Sequence, residues 1–309
     1  MRKLFPLATI FLVFLCVFLS ITFFQKGAEG SAGFVGAAVC KNCHEPYYNS
    51  YMESLHAKKE IPNSPATKQE CETCHGPAVK HLEAGGGRGS GRLNFGKSAD
   101  AEMKSSKCLS CHGDSKHLAS WNLSKHQSAG VSCDKCHEVH GNKYRNLKAS
   151  EPELCYGCHR DIRFEANKQS HHPIREGKVS CSACHNSHGS FGEKMIKADS
   201  VNELCYKCHA DKRGPYMWEH PPVEENCMSC HTAHGSNHSK LLVSKTPQLC
   251  QSCHDWSRHP GTPYTKADAF TSSIGAAPSN KLVSRNCQNC HTNIHGSNGP
   301  GTHGLRFVR

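Results

Sequence analysis

Cysteine and histidine recur in this sequence at one fixed spacing. The 309-residue chain contains 21 Cys and 24 His, and every cysteine except Cys16 belongs to one of ten Cys-x-x-Cys-His motifs. Two thiols at this spacing can form thioether bonds to the two vinyl groups on one edge of a porphyrin, and the histidine that follows then lies under the ring, where its imidazole reaches the iron. The motifs therefore predict ten covalently attached c-type haems. The cysteines predicted to attach them are Cys40, Cys43, Cys71, Cys74, Cys108, Cys111, Cys133, Cys136, Cys155, Cys158, Cys181, Cys184, Cys205, Cys208, Cys227, Cys230, Cys250, Cys253, Cys287 and Cys290. The predicted proximal iron ligands are His44, His75, His112, His137, His159, His185, His209, His231, His254 and His291.

Other chemistries of paired cysteines fit this pattern less well. A structural zinc ion would use two Cys-x-x-Cys pairs and would not need a histidine after each one. A disulfide framework suits an exported chain but has no use for ten adjacent histidines. Redox-active dithiols occur singly rather than ten to a chain. Covalent haem is the interpretation that uses every residue of the motif.

A repeat of two haem motifs selects the second iron ligands. The motif starts Cys108, Cys155, Cys205 and Cys250 lie 47, 50 and 45 residues apart, and each repeat reads haem motif, lone His, haem motif, then a His shortly afterwards. The lone histidines are His56, His126, His172, His220 and His259. The closing histidines are His81, His140, His188, His234 and His295. These ten are the predicted distal ligands, and ligation by two histidines predicts lower potentials than ligation by His and Met.

Four histidines remain outside this assignment: His117, His171, His238 and His303. We interpret them as surface or neighbouring histidines, although His117 is the rival of His126, because it follows its motif by five residues, as His259 does. The closing histidines His140, His188 and His234 follow their motif by three residues. Three residues span at most about 10 Å, so these histidines are expected to serve a neighbouring haem rather than the haem just before them.

The composition indicates that side chains alone do not fill the interior. Outside the first 24 residues and the cysteines, about 76 of 285 residues, roughly 27%, are apolar, which is well short of what a globular domain of this size uses for its core. Haems supply the missing apolar mass. We therefore predict a multihaem cytochrome c fold: a mostly irregular chain with short α-helices, for example around Pro152–Cys158, wrapped around a haem array, with negligible β-structure.

The N-terminus resembles an export signal. Arg2 and Lys3 precede the apolar run Leu4–Phe24, and small residues follow it. Residues 1–32 are predicted to be a signal peptide; the run is also long enough for an uncleaved membrane anchor. The rest, 33–309, is predicted to form five two-haem repeats at about 37–84, 105–150, 151–200, 201–245 and 246–309, with a Gly-rich linker at 85–98.

Two partner classes are excluded by the pattern of residues. The net charge is +11, but Lys and Arg are scattered along the chain, and haem propionates would offset their charge, so no nucleic-acid partner is predicted. The segment Gly91–Ser98 matches a nucleotide-binding loop, yet a glycine-rich stretch precedes it where a hydrophobic strand is needed, so no ATP binding is predicted.

After about Ala37 the chain resembles the periplasmic decahaem cytochromes of outer-membrane porin–cytochrome conduits, of the metal-reduction and dimethyl-sulfoxide-reduction type. The resemblance is strongest over Val201–Cys253, in Glu-Leu-Cys-Tyr-Lys-Cys-His-Ala-Asp-Lys-Arg-Gly-Pro from Glu203 and Trp-Glu-His-Pro-Pro-Val-Glu-Glu-Asn-Cys from Trp218. It implies ligation of each iron by two histidines and a periplasmic haem wire seated in an outer-membrane β-barrel porin. It also implies an extracellular multihaem cytochrome on one side and a periplasmic or inner-membrane cytochrome donor on the other.

Two alternatives to this non-catalytic conduit stay open. One is a periplasmic multihaem terminal reductase, and the other is an electron shuttle anchored to the inner membrane by the long leader. No catalytic residue is predicted, because every motif has a candidate second ligand and none has the Cys-x-x-Cys-Lys form.

The motifs predict that the purified, exported protein carries ten haems, or about 6 kDa of covalently bound cofactor. Intact-mass spectrometry of the holoprotein measures this directly. A count of eight or fewer would contradict the decahaem prediction.

Overall fold

The computed structural model describes residues 33–87, 90, 95–96, 98–254 and 286–308. The predicted leader, most of the Gly91–Ser98 loop and the candidate ligand His259 lie outside the described residues. The chain divides into two compact units. The first consists of Met1–Asp114 and Ser132–Lys148, and the second of Ser115–Val131 and Ala149–Arg309.

Short helices and single helical turns make up the first unit. A specific residue begins or bends each of its two longest helices. Asp100 caps the start of the helix that carries Cys108, and its side chain accepts a hydrogen bond from the Met103 N–H at 2.7 Å. The helix that carries Cys40 is kinked at His44, two residues before Pro46. The α-helices are Ala37–Glu53, Cys71–His75, Val79–Glu83 and Ala101–His112, and the 3₁₀ turns are Leu55–Ala57, Pro65–Thr67, Cys133–Lys135 and Tyr144–Asn146.

The second unit has the same character and adds one minimal sheet. Strands Ser170–His171 and Gly235–Ser236 pair antiparallel, with Ser170 opposite Ser236. The α-helices are Lys125–Ser128, Glu153–Tyr156, Arg160–Glu165, Cys181–Cys184, Val201–Tyr206, Pro221–Glu225, Gln248–Gln251 and Gly301–Leu305. The 3₁₀ turns are Lys116–Leu118, Trp121–Leu123, Glu193–Met195, Ala210–Lys212, Cys227–Ser229, Ser239–Leu241 and Cys287–Asn289. The predicted fold class, an irregular chain with short helices and very little strand, is confirmed.

The polypeptide forms only a small core of its own. The buried apolar residues in the described part of the chain are mostly small or medium in size, such as Ala37 and Ala66 in the first unit and Ala166 and Ile196 in the second. Tyr51 and Trp121 are buried, but many other large apolar side chains lie outside the core, and Phe191 is 89% exposed. This distribution agrees with the low apolar content of the sequence. Within the described residues, no helix is both long and apolar enough to cross a membrane.

Glu72 fixes the start of the described chain to the second haem motif. Its side chain is 97% buried, since only 3% of it is exposed, and its carboxylate accepts hydrogen bonds from three backbone N–H groups. The donors are Val35 and Gly36 at 2.9 Å and Ala78 at 2.8 Å. Hydrogen bonds to a charged acceptor are stronger than those between neutral groups, so this one side chain holds three segments together.

We expect Glu72→Ala to weaken these three segments, because the buried N–H groups lose their acceptor. The free energy of local opening should fall by about 1–3 kcal/mol. Amide hydrogen exchange at Val35, Gly36 and Ala78 in the holoprotein measures it. The matched control is Glu60→Ala at an exposed position, which should leave exchange unchanged; equal protection in both variants would show that the carboxylate does not hold this region.

Candidate haem-binding sites

Each haem motif folds as a single tight turn. The backbone N–H of the motif histidine donates to the carbonyl of the first cysteine, as from His159 to Cys155 at 2.9 Å and from His231 to Cys227 at 3.0 Å. This turn brings the fifth residue of the motif back beside the first, with both cysteines along the turn. In the described residues, none of the twenty motif cysteines is joined to another cysteine by a disulfide bond. They therefore fit the covalent chemistry that the spacing predicts.

Eight of the predicted distal histidines lie opposite a motif histidine. In the described residues, each of these eight imidazole rings has its centroid 5.9–6.3 Å from that of one motif histidine. The pairs are His44 with His81, His75 with His140, His112 with His56, His159 with His126, His185 with His234, His209 with His172, His231 with His295 and His254 with His220.

This separation fits an iron atom between the two rings. Metal–imidazole nitrogen bonds are about 2 Å long, so two axial imidazoles on one metal have centroids roughly 6 Å apart. Two imidazoles in van der Waals stacking would lie closer. Together with the adjacent thiols, each histidine pair therefore has the donor set and the spacing that a covalently attached haem needs.

The pairs connect neighbouring repeats in a regular way. Lone histidines face the first motif of the following repeat, as His126 faces His159 and His220 faces His254. The closing histidines His140, His234 and His295 face the second motif of the preceding repeat, as His234 faces His185. In the first repeat, which has no predecessor, His81 faces His44 of its own repeat. None of the closing histidines His140, His234 and His295 faces the motif just before it. His188 lies beside Trp121, with 6.4 Å between ring centroids, and its assignment as a ligand stays a prediction.

The histidines left outside the assignment are placed differently. The Nδ1 atom of His171 is 2.6 Å from the Lys168 carbonyl oxygen, and its Nε2 is 3.2 Å from a Glu176 carboxylate oxygen. With both ring nitrogens engaged, His171 has none free for a metal. His117 and His303 are exposed, and it is His126, rather than its rival His117, that lies opposite His159.

Burial keeps several candidate ligands in the form that binds iron. Burial lowers the pKa of His56, His140, His185, His220 and His295 below the usual value for histidine. Each of these imidazoles is therefore neutral near pH 7, and a neutral imidazole offers a lone pair to a metal, whereas an imidazolium does not.

Backbone carbonyls orient the histidine of the second motif in the second to fifth repeats. The Nδ1 of His185 lies 3.0 Å from the Lys194 carbonyl oxygen, and that of His231 lies 2.8 Å from the Lys240 oxygen. Because a carbonyl oxygen only accepts hydrogen bonds, the proton is on Nδ1 and Nε2 is free to bind iron. The same contact is made by His137 with Arg145 at 3.1 Å and by His291 with Arg306 at 2.7 Å.

A strained turn presents these carbonyls. Lys194 and Lys240 have φ values of 50° and 58°, and the residue after each is also left-handed. Left-handed backbone costs a non-glycine residue roughly 1–2 kcal/mol. An antiparallel bridge from the motif histidine closes each turn, as between His185 and Ile196. The strained backbone at Lys194 and Lys240 therefore directs the carbonyl that orients the imidazole of the motif histidine.

Glycine after a closing histidine permits close backbone packing. A Cβ atom at Gly235 would lie 1.9 Å from the Glu165 carbonyl oxygen, and one at Gly189 would lie 2.1 Å from the Ser120 oxygen. Both separations are far inside van der Waals contact. This explains the glycine that follows His188 and His234: it lets the closing histidine approach the chain of the preceding repeat.

A polar contact joins the two motifs in each of the first four repeats. One partner lies three or four residues before the first motif, and the other is the first or second residue of the second motif. We call these contacts clamps. They are Gly36 N–H to Glu72 at 2.9 Å, Lys104 to Asp134 at 3.4 Å, Ser182 N–H to Glu151 at 2.8 Å, and Cys227 N–H to Asn202 at 2.8 Å. The clamps were not predicted from the sequence, because a different residue type serves each time.

The clamps bring the first thiols of the two motifs together. Burial and the neighbouring Cys227 thiol raise the pKa of Cys205 to about 11, and burial and the Cys287 thiol raise that of Cys250 to about 11. These shifts show which thiols are neighbours. The thiols adjacent in this way are Cys40 and Cys71, Cys108 and Cys133, Cys155 and Cys181, Cys205 and Cys227, and Cys250 and Cys287.

Second thiols connect one repeat to the next. Burial raises the pKa of Cys184, and the charge of the nearby Cys208 raises it further; Cys230 is affected in the same way by burial and by Cys253. Cys74 has the corresponding neighbour Cys111. Within each compact unit, the motifs therefore lie next to one another in the order in which they occur in the sequence.

Comparisons with known proteins agree with the motifs. A family model described as a doubled CXXCH motif matches residues 126–164, 171–214 and 220–259, each of which spans the second motif of one repeat and the first of the next. The chain is 41% identical over 282 residues to the multihaem cytochrome MtrA of Shewanella baltica (strain OS185), covering 89% of this chain and 83% of that protein. It is 26% identical over 212 residues to the C-type polyhaem cytochrome OmcB of two Geobacter sulfurreducens strains, covering 58% of this chain and 26% of OmcB.

We expect His220→Met to raise the potential of one haem and leave the others unchanged, because a thioether ligand favours the reduced iron more than an imidazole does. Potentiometric titration followed by visible spectroscopy measures it. The control is His238→Met, a position outside every histidine pair found in the described residues. If His238→Met shifts a haem and His220→Met does not, the assignment of ligands is wrong.

Proposed function

This chain belongs to the family of the multihaem cytochrome MtrA, and on that premise we propose that it is a decahaem wire that carries electrons across the outer membrane through a β-barrel partner. The chain is an electron-transfer cytochrome with covalently attached c-type haems.

The observation that carries the proposal is the set of histidine pairs. Each of the eight pairs lies beside a pair of motif thiols and has the spacing of two axial ligands. We assign the ten motif histidines as proximal ligands and the ten lone and closing histidines as distal ligands, with His188 and His259 assigned from the repeat alone. Twenty axial ligands and ten pairs of thiols correspond to ten haems.

The same pairs favour electron transfer over catalysis. A bound haem supplies a one-electron Fe(III)/Fe(II) couple, and a second strong ligand leaves no coordination position for a substrate. Partial burial lowers the pKa of His56 and His140, which favours the neutral imidazole that binds iron. A terminal reductase would need at least one motif without a second histidine, and the repeat provides a candidate for each.

The order of the thiols supports a linear path. Within each compact unit, neighbouring thiols alternate between first cysteines of one repeat, such as Cys155 and Cys181, and second cysteines of two successive repeats, such as Cys184 and Cys208. Since each thiol would be bonded to one edge of a haem, successive haems in a unit would meet edge to edge. Edge-to-edge contact between neighbours is what rapid electron transfer along a chain requires.

The need for a barrel partner follows from the free-energy cost of exposing a row of haems to lipid. Haem propionates are charged, and burying unpaired charge in a bilayer is very costly. A protein sheath is therefore needed, and a closed β-barrel is the spanning structure whose backbone polar groups are all satisfied. The predicted leader favours export to the periplasm, from which such a barrel is accessible. An electron donor on the periplasmic side and a multihaem acceptor on the cell surface complete the proposed path.

We expect the cytochrome, reconstituted in liposomes with its outer-membrane barrel, to reduce an encapsulated dye using an external reductant that cannot cross the membrane. Dye absorbance over time is the measurement. Omitting either protein should abolish transfer. Transfer by the cytochrome alone, or failure of the fully haem-loaded pair, would favour the shuttle or the reductase instead.

A variant that lacks one haem provides the matched control. Replacing Cys205 and Cys208 with alanine removes one haem from the middle of the chain, and intact mass verifies that the others are attached. We expect dye reduction to fall at least tenfold, because electron transfer across the missing haem becomes slow. An unchanged rate would show that electrons do not follow the motifs in sequence order.

A further inference from the structure

One candidate distal ligand has a carboxylate as its hydrogen-bond acceptor. The Nδ1 atom of His234 lies 3.3 Å from a carboxylate oxygen of Glu165. Its ring faces that of His185 at 6.2 Å and nearly parallel, with 26° between the planes. His126 and His172 instead have backbone carbonyls beside Nδ1, those of Ser187 and Ala233.

The backbone holds Glu165 at this place. Glu165 is the last residue of helix Arg160–Glu165, which begins directly after the motif histidine His159. Its carbonyl packs against Gly235, where a Cβ atom would lie 1.9 Å away, and the next residue, Ala166, is fully buried. Five residues on, Ser170 pairs with Ser236 in the two-stranded sheet. The chain around Glu165 and the chain around His234 are thus fixed to each other on both sides of the contact.

A carboxylate acts on an iron-bound imidazole in two ways. It pulls the Nδ1 proton toward itself and so makes the ring a stronger electron donor to the metal. It also places a negative charge near the iron. Both effects stabilise Fe(III) over Fe(II) and therefore lower the reduction potential, and second hydrogen bonds to a ligand are a known lever on haem potential. A carbonyl acceptor orients the ring but carries no net charge.

We propose that Glu165 is a positioning residue that fixes His234 with its proton on Nδ1 and lowers the reduction potential of the haem attached at Cys181 and Cys184. The inference rests on the proposed ligation of that haem by His185 and His234. It assigns to one position in the middle of the chain a lower potential than its ligands alone would give. Electrons would then reside on this haem for a smaller fraction of the time than on its neighbours.

The test is Glu165→Gln in the fully haem-loaded protein. Glutamine keeps the shape of the side chain and an oxygen acceptor but removes the charge. At a fixed applied potential we expect the ratio of reduced to oxidised iron at one centre to rise at least threefold, which for a one-electron couple is about 28 mV. Potentiometric titration with visible spectroscopy measures the ratio, and electron paramagnetic resonance reports whether all haems stay low-spin.

Glu176→Gln is the matched control. It removes a carboxylate from the same compact unit, and that carboxylate contacts His171 and Arg175, neither of which is an assigned ligand. We expect no centre to shift by a comparable amount. Equal shifts in the Glu165 and Glu176 variants would overturn the proposal, because they would show a general effect of lost charge.

A double-mutant cycle separates this inference from the proposed ligation. His234→Met should shift one haem strongly, and in that background Glu165→Gln should have a smaller effect, because a thioether has no proton to donate and only the effect of the charge remains. If His234→Met changes no haem, the proposed ligation fails. If His234→Met shifts a haem but Glu165→Gln in the natural background does not, the ligation stands and the role of Glu165 is wrong.

Discussion

Two imidazoles that share one iron must approach it from opposite faces of a haem, with their ring centroids roughly 6 Å apart. The chain cannot satisfy this from one local segment, because the motif histidine and its thiols occupy one side. The second histidine must arrive from elsewhere in the sequence. His126 and His220 reach forward to the next repeat, and His234 reaches back to the preceding one. The need to cover both faces of every haem therefore interleaves the repeats.

Much of the remaining structure serves this interleaving. Clamps such as Lys104 with Asp134 and Asn202 with Cys227 hold two motifs side by side without using apolar residues. Glycines at 189 and 235 let two chain segments approach more closely than any side chain would allow. Left-handed turns at Lys194 and Lys240 deliver carbonyls to the motif histidines. Polar and backbone contacts therefore hold the polypeptide together at the haem sites, which is consistent with its small apolar core.

The sequence was sufficient to predict the fold class and the groups of histidines that the structure brings together. Both follow from strict spacing: a motif repeated ten times, and lone or closing histidines at recurring distances from it. The haem that each distal histidine serves was predicted only in part. The three-residue spacing before His140 and His234 excluded the preceding haem, but the choice between the other neighbours depends on how the repeats pack. The clamps could not be predicted, because Glu, Lys and Asn fill equivalent positions by different chemistry. The carbonyl acceptors could not be predicted either, because every residue has a carbonyl.

Uniform ligands do not make uniform sites. The histidine pairs fix the geometry of the chain, so replacing a ligand to adjust one haem would risk the continuity of the whole path. A hydrogen bond to Nδ1, the ring nitrogen that does not bind iron, can change the potential of one haem without replacing a ligand. Lys194 and Lys240 offer neutral carbonyls there, and Glu165 offers a charge at 3.3 Å from His234. Glu138 places a second carboxylate 3.6 Å from the Nδ1 of His140. Since these acceptors lie outside the iron's own ligands, they can change how each ring donates electrons while the rings, the thiols and the interleaving of the repeats stay where they are.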